Sequence, residues 1–420
     1  MRRAFQAACV AALPIIFWIS WASVSSSFKS SSRAALEVPQ AASSDLTIAG
    51  NQSSISLPFD LIDNRIIIDM KINGRGPLRF IFDSGAVSVI SAESARELGL
   101  KMEGTSTADG GVGENRVERG ETRISEVAVG DLRLTNQEFG VISFADTKYV
   151  FGSNRIDGII GYPLFKRLVV KIDYEQRRLT FTRPEQFSYK GKGMIVPLDF
   201  DGHLPLVNGE LDGVPGIFVI DTGARSALIL YGPFVEKNNL RAKYGASVEG
   251  ITGWGIGGPV RSQLARVRTL KLGAVEVRDL VARLSTQRSG ALTSADRAAL
   301  VGPDVLKQFT TIFDYSRRQL IFEKNGSYGK PDSYDRAGMW FGQEGDHFEV
   351  IDVMKGGPAA EAGLKVGDQI LAVDGRSVSQ LDLTEVRLRF KNEPPKKRVR
   401  LLVERDGDRR EVVIVLRDLV

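Results

Sequence analysis

The segment Phe80-Ile-Phe-Asp-Ser-Gly-Ala86 returns about 140 residues downstream as Phe218-Val-Ile-Asp-Thr-Gly-Ala224. Three other landmarks recur in the same order. Leu57-Pro-Phe-Asp60 pairs with Val196-Pro-Leu-Asp199, and Gly158-Ile-Ile-Gly161 with Ala299-Leu-Val-Gly302. Ile172-Asp-Tyr-Glu-Gln-Arg-Arg-Leu-Thr-Phe181 pairs with Phe313-Asp-Tyr-Ser-Arg-Arg-Gln-Leu-Ile-Phe322. Ordered matches of this kind imply a duplicated lobe, residues 51–190 and 191–330. Each copy reads mainly as β structure: apolar runs such as Arg65–Ile72 and Gly216–Ile220 are bounded by Gly, Asn and Asp turns, including Asn73-Gly74 and Asp212-Gly213. Helical signals are short, at Ser91–Leu98 and at Ser294–Leu300 with Ser294 as N-cap.

Composition limits the chemistry. The 420 residues include two histidines, His203 and His347, and one cysteine, Cys9. That excludes a Cys/His zinc cluster and a disulfide scaffold, and leaves carboxylates as the natural reactive groups; no metal or cofactor is implied. The net charge of +5 comes from basic residues interleaved with acids, which gives no footprint for nucleic acid. An apolar strand running into Asp-Ser/Thr-Gly-Ala delivers a carboxylate to a dry site. The hydroxyl residue fixes the loop, and glycine permits close backbone approach. Pseudo-twofold symmetry would bring Asp83 and Asp221 face to face. Two touching carboxyls share one proton, so one can activate water while the other acts as acid.

These residues resemble the aspartic peptidases of the pepsin and retropepsin type, over about residues 51–330. The resemblance implies a bilobal, mainly β, pepsin/retropepsin-like β-barrel fold with Asp83 and Asp221 as the catalytic pair. Ser84, Gly85, Thr222 and Gly223 would lock the two loops together, and Ile159-Ile160-Gly161 and Leu300-Val301-Gly302 would brace them from behind. It also implies a hairpin flap over the cleft, with candidates at Gly110-Gly-Val-Gly113 and Gly250–Gly258 and with Trp254 as the flap-tip aromatic. The lobes are smaller than pepsin's and lack its flap tyrosine motif; unlike viral retropepsins, both halves lie on one chain. Ala86 and Ala224 stand where pepsin-like relatives often carry a hydroxyl, so the pair is expected to hold its proton to higher pH.

Residues 335–420 resemble the PDZ domains attached to bacterial periplasmic proteases, through Gly357-Pro-Ala-Ala-Glu-Ala-Gly-Leu364 and Val366-Gly-Asp-Gln-Ile-Leu-Ala-Val-Asp-Gly375. The resemblance implies a small α+β domain that binds peptide C-termini. Gly338, Met339, Trp340 and Phe341 would form its carboxylate loop, with Trp340 where the family usually has glycine. Leu383, Val386 and Phe390 share one helical face, and a terminal hairpin turns at Asp406-Gly407.

Arg2 and Arg3 precede an apolar run to Ala22, which reads as a secretory signal (1–22) or an uncleaved membrane anchor (4–22). The Ser-rich stretch 23–50 reads as a tether. The expected protein is an exported, periplasmic or extracellular endopeptidase acting on peptides or unfolded proteins. The competing class is a non-catalytic peptide-binding scaffold with a degenerate peptidase fold. Asp173 and Asp314 read as structural turn residues, and His203 and His347 as surface or strand histidines.

Overall fold

The computed structural model describes residues 45–109 and 111–420. The signal or anchor 1–22, most of the tether and the flap residue Gly110 lie outside the described residues. Among those described, no helix is long and apolar enough to cross a membrane.

The chain is mainly β, and the strands of the described residues form four sheets. In the first lobe, Arg75–Phe82 carries Asp83 at its end and lies between Arg65–Ile72, antiparallel, and Gly158–Ile160, parallel, with Phe80 opposite Gly158. In the second lobe, Val214–Ile220 carries Asp221 and lies between Leu204–Leu211 and Ala299–Val301, with Phe218 opposite Ala299. Both carrier strands are apolar at their ends because both faces are covered: Phe80, Phe82, Phe218, Val219 and Ile220 are buried. The hairpins beside them close on two-residue turns in which both residues have positive φ, Asn73-Gly74 and Asp212-Gly213. Asn or Asp followed by Gly tolerates that geometry best.

A third sheet takes three strands from each lobe, in the order Met194–Pro197, Gln319–Lys324, Phe309–Asp314, Val169–Asp173, Arg178–Thr182, Ser54–Pro58. The lobes join where Val170 faces Phe313. One continuous core runs from Leu46 to Phe322 through both lobes, and the first lobe adds a smaller cluster of its own that includes Ile67, Ile81, Phe144, Phe151 and Ile159.

The C-terminal block has a separate core that includes Phe348, Ile370, Leu383, Val386, Phe390 and Val403. Its sheet runs Met339–Glu344, His347–Val353, Gln369–Val373, Arg398–Arg405, Asp408–Val415, so Met339–Glu344 is an edge strand. The helix Leu383–Asn392 is N-capped by Asp382, whose carboxylate accepts from the Thr384 and Glu385 amides.

Two expectations need correction. Residues 294–300 form no helix: a short 3-10 turn covers Ala291–Thr293, and Ala299–Val301 is a strand. A brief Ala-Leu-Val run carries no decisive period, and pairing with the buried carrier strand decides its conformation. The tether also ends before residue 50. Leu46–Ile48 pairs with Leu132–Leu134, and Leu46 and Ile48 join the core.

Candidate active site

The two Asp-Ser/Thr-Gly loops meet at the lobe junction, and each side chain in them has a definite task. Ser84 Oγ donates to Ile220 O at 2.8 Å and accepts from the Thr222 amide at 3.1 Å. Thr222 Oγ1 donates to Phe82 O at 2.9 Å and accepts from the Ser84 amide at 2.9 Å. Both hydroxyl residues are fully buried. All four bonds cross between lobes, and losing either hydroxyl would orphan buried partners at about 1–3 kcal/mol each.

This lattice aims Asp83 and Asp221 at each other, and the two carboxyls hydrogen-bond. The glycines make the approach possible. A β-carbon on Gly223 would lie 2.1 Å from Asp83 Oδ2, and one on Gly85 3.2 Å from Asp221 Cγ. Behind the loops, a β-carbon on Gly161 would sit 1.6 Å from Asp83 O, and one on Gly302 2.3 Å from Ser226 O. Burial, then the neighbouring Asp221 charge, push the Asp83 carboxyl well above the usual range. Burial also raises Asp221, opposed by donors from the Gly223 amide, Asp83 and the Ala224 amide. Both carboxyls are thus raised, and they titrate as a pair that keeps a proton to higher pH than a free carboxyl does.

The pair lies in a cleft of about 910 Å³. Ile81, Val117, Phe144, Phe151 and Ile159 of the first lobe and Val219, Ile229, Val260 and Leu300 of the second give it apolar walls. Its roof is made by the two Gly-rich hairpins, whose backbones interlock. Gly113 N–H donates to Ile256 O at 3.0 Å, and Asn115 N–H to Gly257 O at 2.9 Å. Glycine is required there, since a β-carbon on Gly113 would lie 2.1 Å from Gly257 C.

Residues 68–164, which include Asp83 and Gly161, match the family model described as aspartyl protease, and residues 349–405 match the model of the PDZ domain. The chain carries an aspartyl protease domain and a C-terminal PDZ domain. A search of curated proteins found no match.

The flap aromatic of the protease domain is displaced from its expected place. Trp254 lies on the strand Glu249–Gly255 opposite Pro259, and the hairpin tip is Ile256-Gly257. The indole lines the cleft and packs on Tyr149, with ring centroids 4.7 Å apart. The expected carboxylate loop of the PDZ domain is also not open to solvent: Met339, Trp340 and Phe341 are buried.

Three cleft residues escaped the sequence reading. Arg65, at the start of its strand, donates from Nε to Gly223 O at 2.8 Å and also binds Asp63. Arg225 grips the same Asp63 carboxylate, with Nη2 to Oδ1 at 2.8 Å. His203 is no ordinary surface histidine. It lines the cleft, its ring reaches the backbone of Gly85, and burial holds its imidazole below the usual range. The one available signal was the repeat itself, which places Asn64-Arg65 and His203-Leu204 at matching turns. Asp173 and Asp314 are turn residues as expected, accepting from the Gln176 and Arg317 amides.

Proposed function

We propose that the protein is an aspartic endopeptidase that hydrolyses peptide bonds with a water activated between Asp83 and Asp221. The observation that carries the reading is the buried, hydrogen-bonded carboxyl pair, both members raised by burial, at the base of a roofed apolar cleft. Asp221, ionised, takes a proton from water as its oxygen attacks the scissile carbonyl carbon. Asp83 gives its proton to the carbonyl oxygen. As the tetrahedral diol collapses, Asp83 takes back a proton from a diol hydroxyl so that C=O reforms, the C–N bond breaks, and the proton held by Asp221 passes to the leaving nitrogen. The apolar walls suit extended segments with apolar side chains, as unfolded proteins offer. The N-terminal Arg2-Arg3 and apolar run support export to a periplasmic or extracellular site, with cleavage or anchoring at residues 4–22.

The test is digestion of an unfolded protein at mildly acidic pH, with and without a statine-type inhibitor, beside Asp83→Asn. Inhibitor-sensitive cleavage that disappears in the variant is the expected result. Intact substrate with every preparation would instead favour a scaffold that holds peptide without cutting it.

A further inference from the structure

The groove of the PDZ domain, between its edge strand Met339–Glu344 and the helix Leu383–Asn392, is not empty. The segment Lys148–Asn154 of the first protease lobe lies against both walls. Arg387 donates to Tyr149 O at 2.8 Å and Val150 O at 3.1 Å. Gln343 Oε1 accepts from the Ser153 amide at 3.1 Å, and Asn154 Nδ2 donates to Asp382 Oδ2 at 2.7 Å. Lys148 Nζ pairs with Glu344 Oε2 at 2.5 Å. The fit depends on a glycine from each side. A β-carbon on Gly342 would lie 2.6 Å from Tyr149 Cδ1, and one on Gly152 2.9 Å from Leu383 Cβ.

The same segment is a wall of the cleft, to which Val150 and Phe151 contribute. Two further contacts tie the PDZ domain to the site. The Trp340 ring has the Arg387 guanidinium 4.1 Å away and the Arg225 guanidinium 5.1 Å away. Arg225 binds Asp63, Asp63 binds Arg65, and Arg65 holds Gly223 O beside Asp221. Asp352 accepts from the Ile251 amide at 2.6 Å, at the base of the roofing hairpin.

We infer that the resident ligand of the PDZ groove is the protein's own Lys148–Asn154 segment, and that docking there holds the cleft wall and the Asp221 loop in working shape. The inference rests on the peptidase reading for its effect on rate, but not for the docking. A peptide with a free apolar C-terminus must displace the segment to enter the groove, so it binds the intact protein weakly and slows hydrolysis of short substrates. A groove filled for most of the time lowers apparent affinity by the fraction of time it is open.

Lys148→Glu with Asn154→Asp turns two attractions into repulsions without altering the groove. Adding Glu344→Lys with Asp382→Asn restores complementarity, and asparagine keeps the helix cap. Hydrogen exchange of the full chain, affinity for a heptapeptide ending in free valine, and kcat on a short apolar peptide are compared. The lobe variant should exchange residues 144–154 at least about tenfold faster, bind the heptapeptide about tenfold tighter and lose about fivefold or more in kcat. The four-residue variant should return all three toward wild type. Gly342→Val, which intrudes on Tyr149 from the other side, should give the same exchange and rate changes. Unchanged exchange in both the lobe variant and Gly342→Val overturns the inference, as does faster hydrolysis on undocking. Faster exchange and tighter heptapeptide binding, in a protein that cuts no peptide even as wild type, would support the docking while removing the peptidase reading.

Discussion

The two Asp-bearing loops are built alike yet held differently. Asp83 Oδ1 accepts one backbone amide, Gly85, at 2.7 Å. Asp221 Oδ1 accepts two, from Gly223 at 2.8 Å and Ala224 at 3.1 Å. The turns that reach across from the opposite lobe differ too. The first lobe sends Arg65, a permanent cation, to Gly223 O. The second sends His203, whose imidazole burial pushes below its usual range, to the backbone of Gly85. More donors and a fixed positive charge on one side make Asp221 the better home for the negative charge. Duplication brings the carboxyls together, and departures from symmetry give them unequal surroundings.

The largest effect should come from abolishing that division. Asp221→Asn is expected to lower kcat by about a thousandfold or more, and Asp83→Asn with Asp221→Asn to cost little beyond either alone, because a coupled acid and base fail as a unit. Additive losses would break the comparison. Arg65→Met should come next, with kcat down by about tenfold or more. Removing a cation that favours the ionised forms raises both carboxyl pKa values, so both limbs of the pH–rate profile should move to higher pH. A limb that stays in place would show that Arg65 acts only through packing. For the unaltered protein, the profile should centre at about pH 4 to 6.5, since neither Ala86 nor Ala224 can give the pair a hydroxyl donor.

Smaller effects test the proton-holding side. Folding raises the pKa of Asp83, so the folded state favours the protonated form, and stability is lost as pH rises from the unfolded value through the folded one. Asparagine has no such loss. Asp83→Asn should therefore be more stable than wild type at pH 7, on the order of 1 kcal/mol, with the advantage vanishing near pH 3. Equal thermal unfolding differences at both pH values would contradict the assignment. His203→Gln, which keeps a donor for Gly85, should change kcat by less than about threefold. A loss as large as that of Arg65→Met would mean that the two sides are held alike.

What could be read from the sequence follows from how local each signal is. The paired loops stood out because a buried strand, a carboxylate, a hydroxyl and a glycine occur together twice. The PDZ fold was legible from its turns, such as Asp374-Gly375 and Asp406-Gly407, whose residues have positive φ. The short helical signal at Ser91–Leu98 corresponds to the helix Ala92–Glu97, which the structure shows capped by Ser91 accepting from the Ser94 amide. Arg65 and Arg387 could not be assigned this way. Each acts on carbonyls far along the chain, Gly223 in one case and Tyr149 and Val150 in the other, and no period or spacing encodes such a contact. The short strand Ala299–Val301 was misread for a related reason, since its conformation comes from a partner at Phe218–Ile220.

The interlocked hairpin tips set a kinetic threshold that has nothing to do with side-chain preference. With Gly113 bonded to Ile256 O and Asn115 to Gly257 O, the cleft is bridged from lobe to lobe by a fastened lid. A chain reaches the carboxyls only by threading from an end or by arriving while those two bonds are broken. Either route requires a length of backbone with slack on both sides, and a tightly folded domain has none to give. Under the proposed peptidase function, selection between substrates begins with their mechanical compliance, before any residue touches the walls.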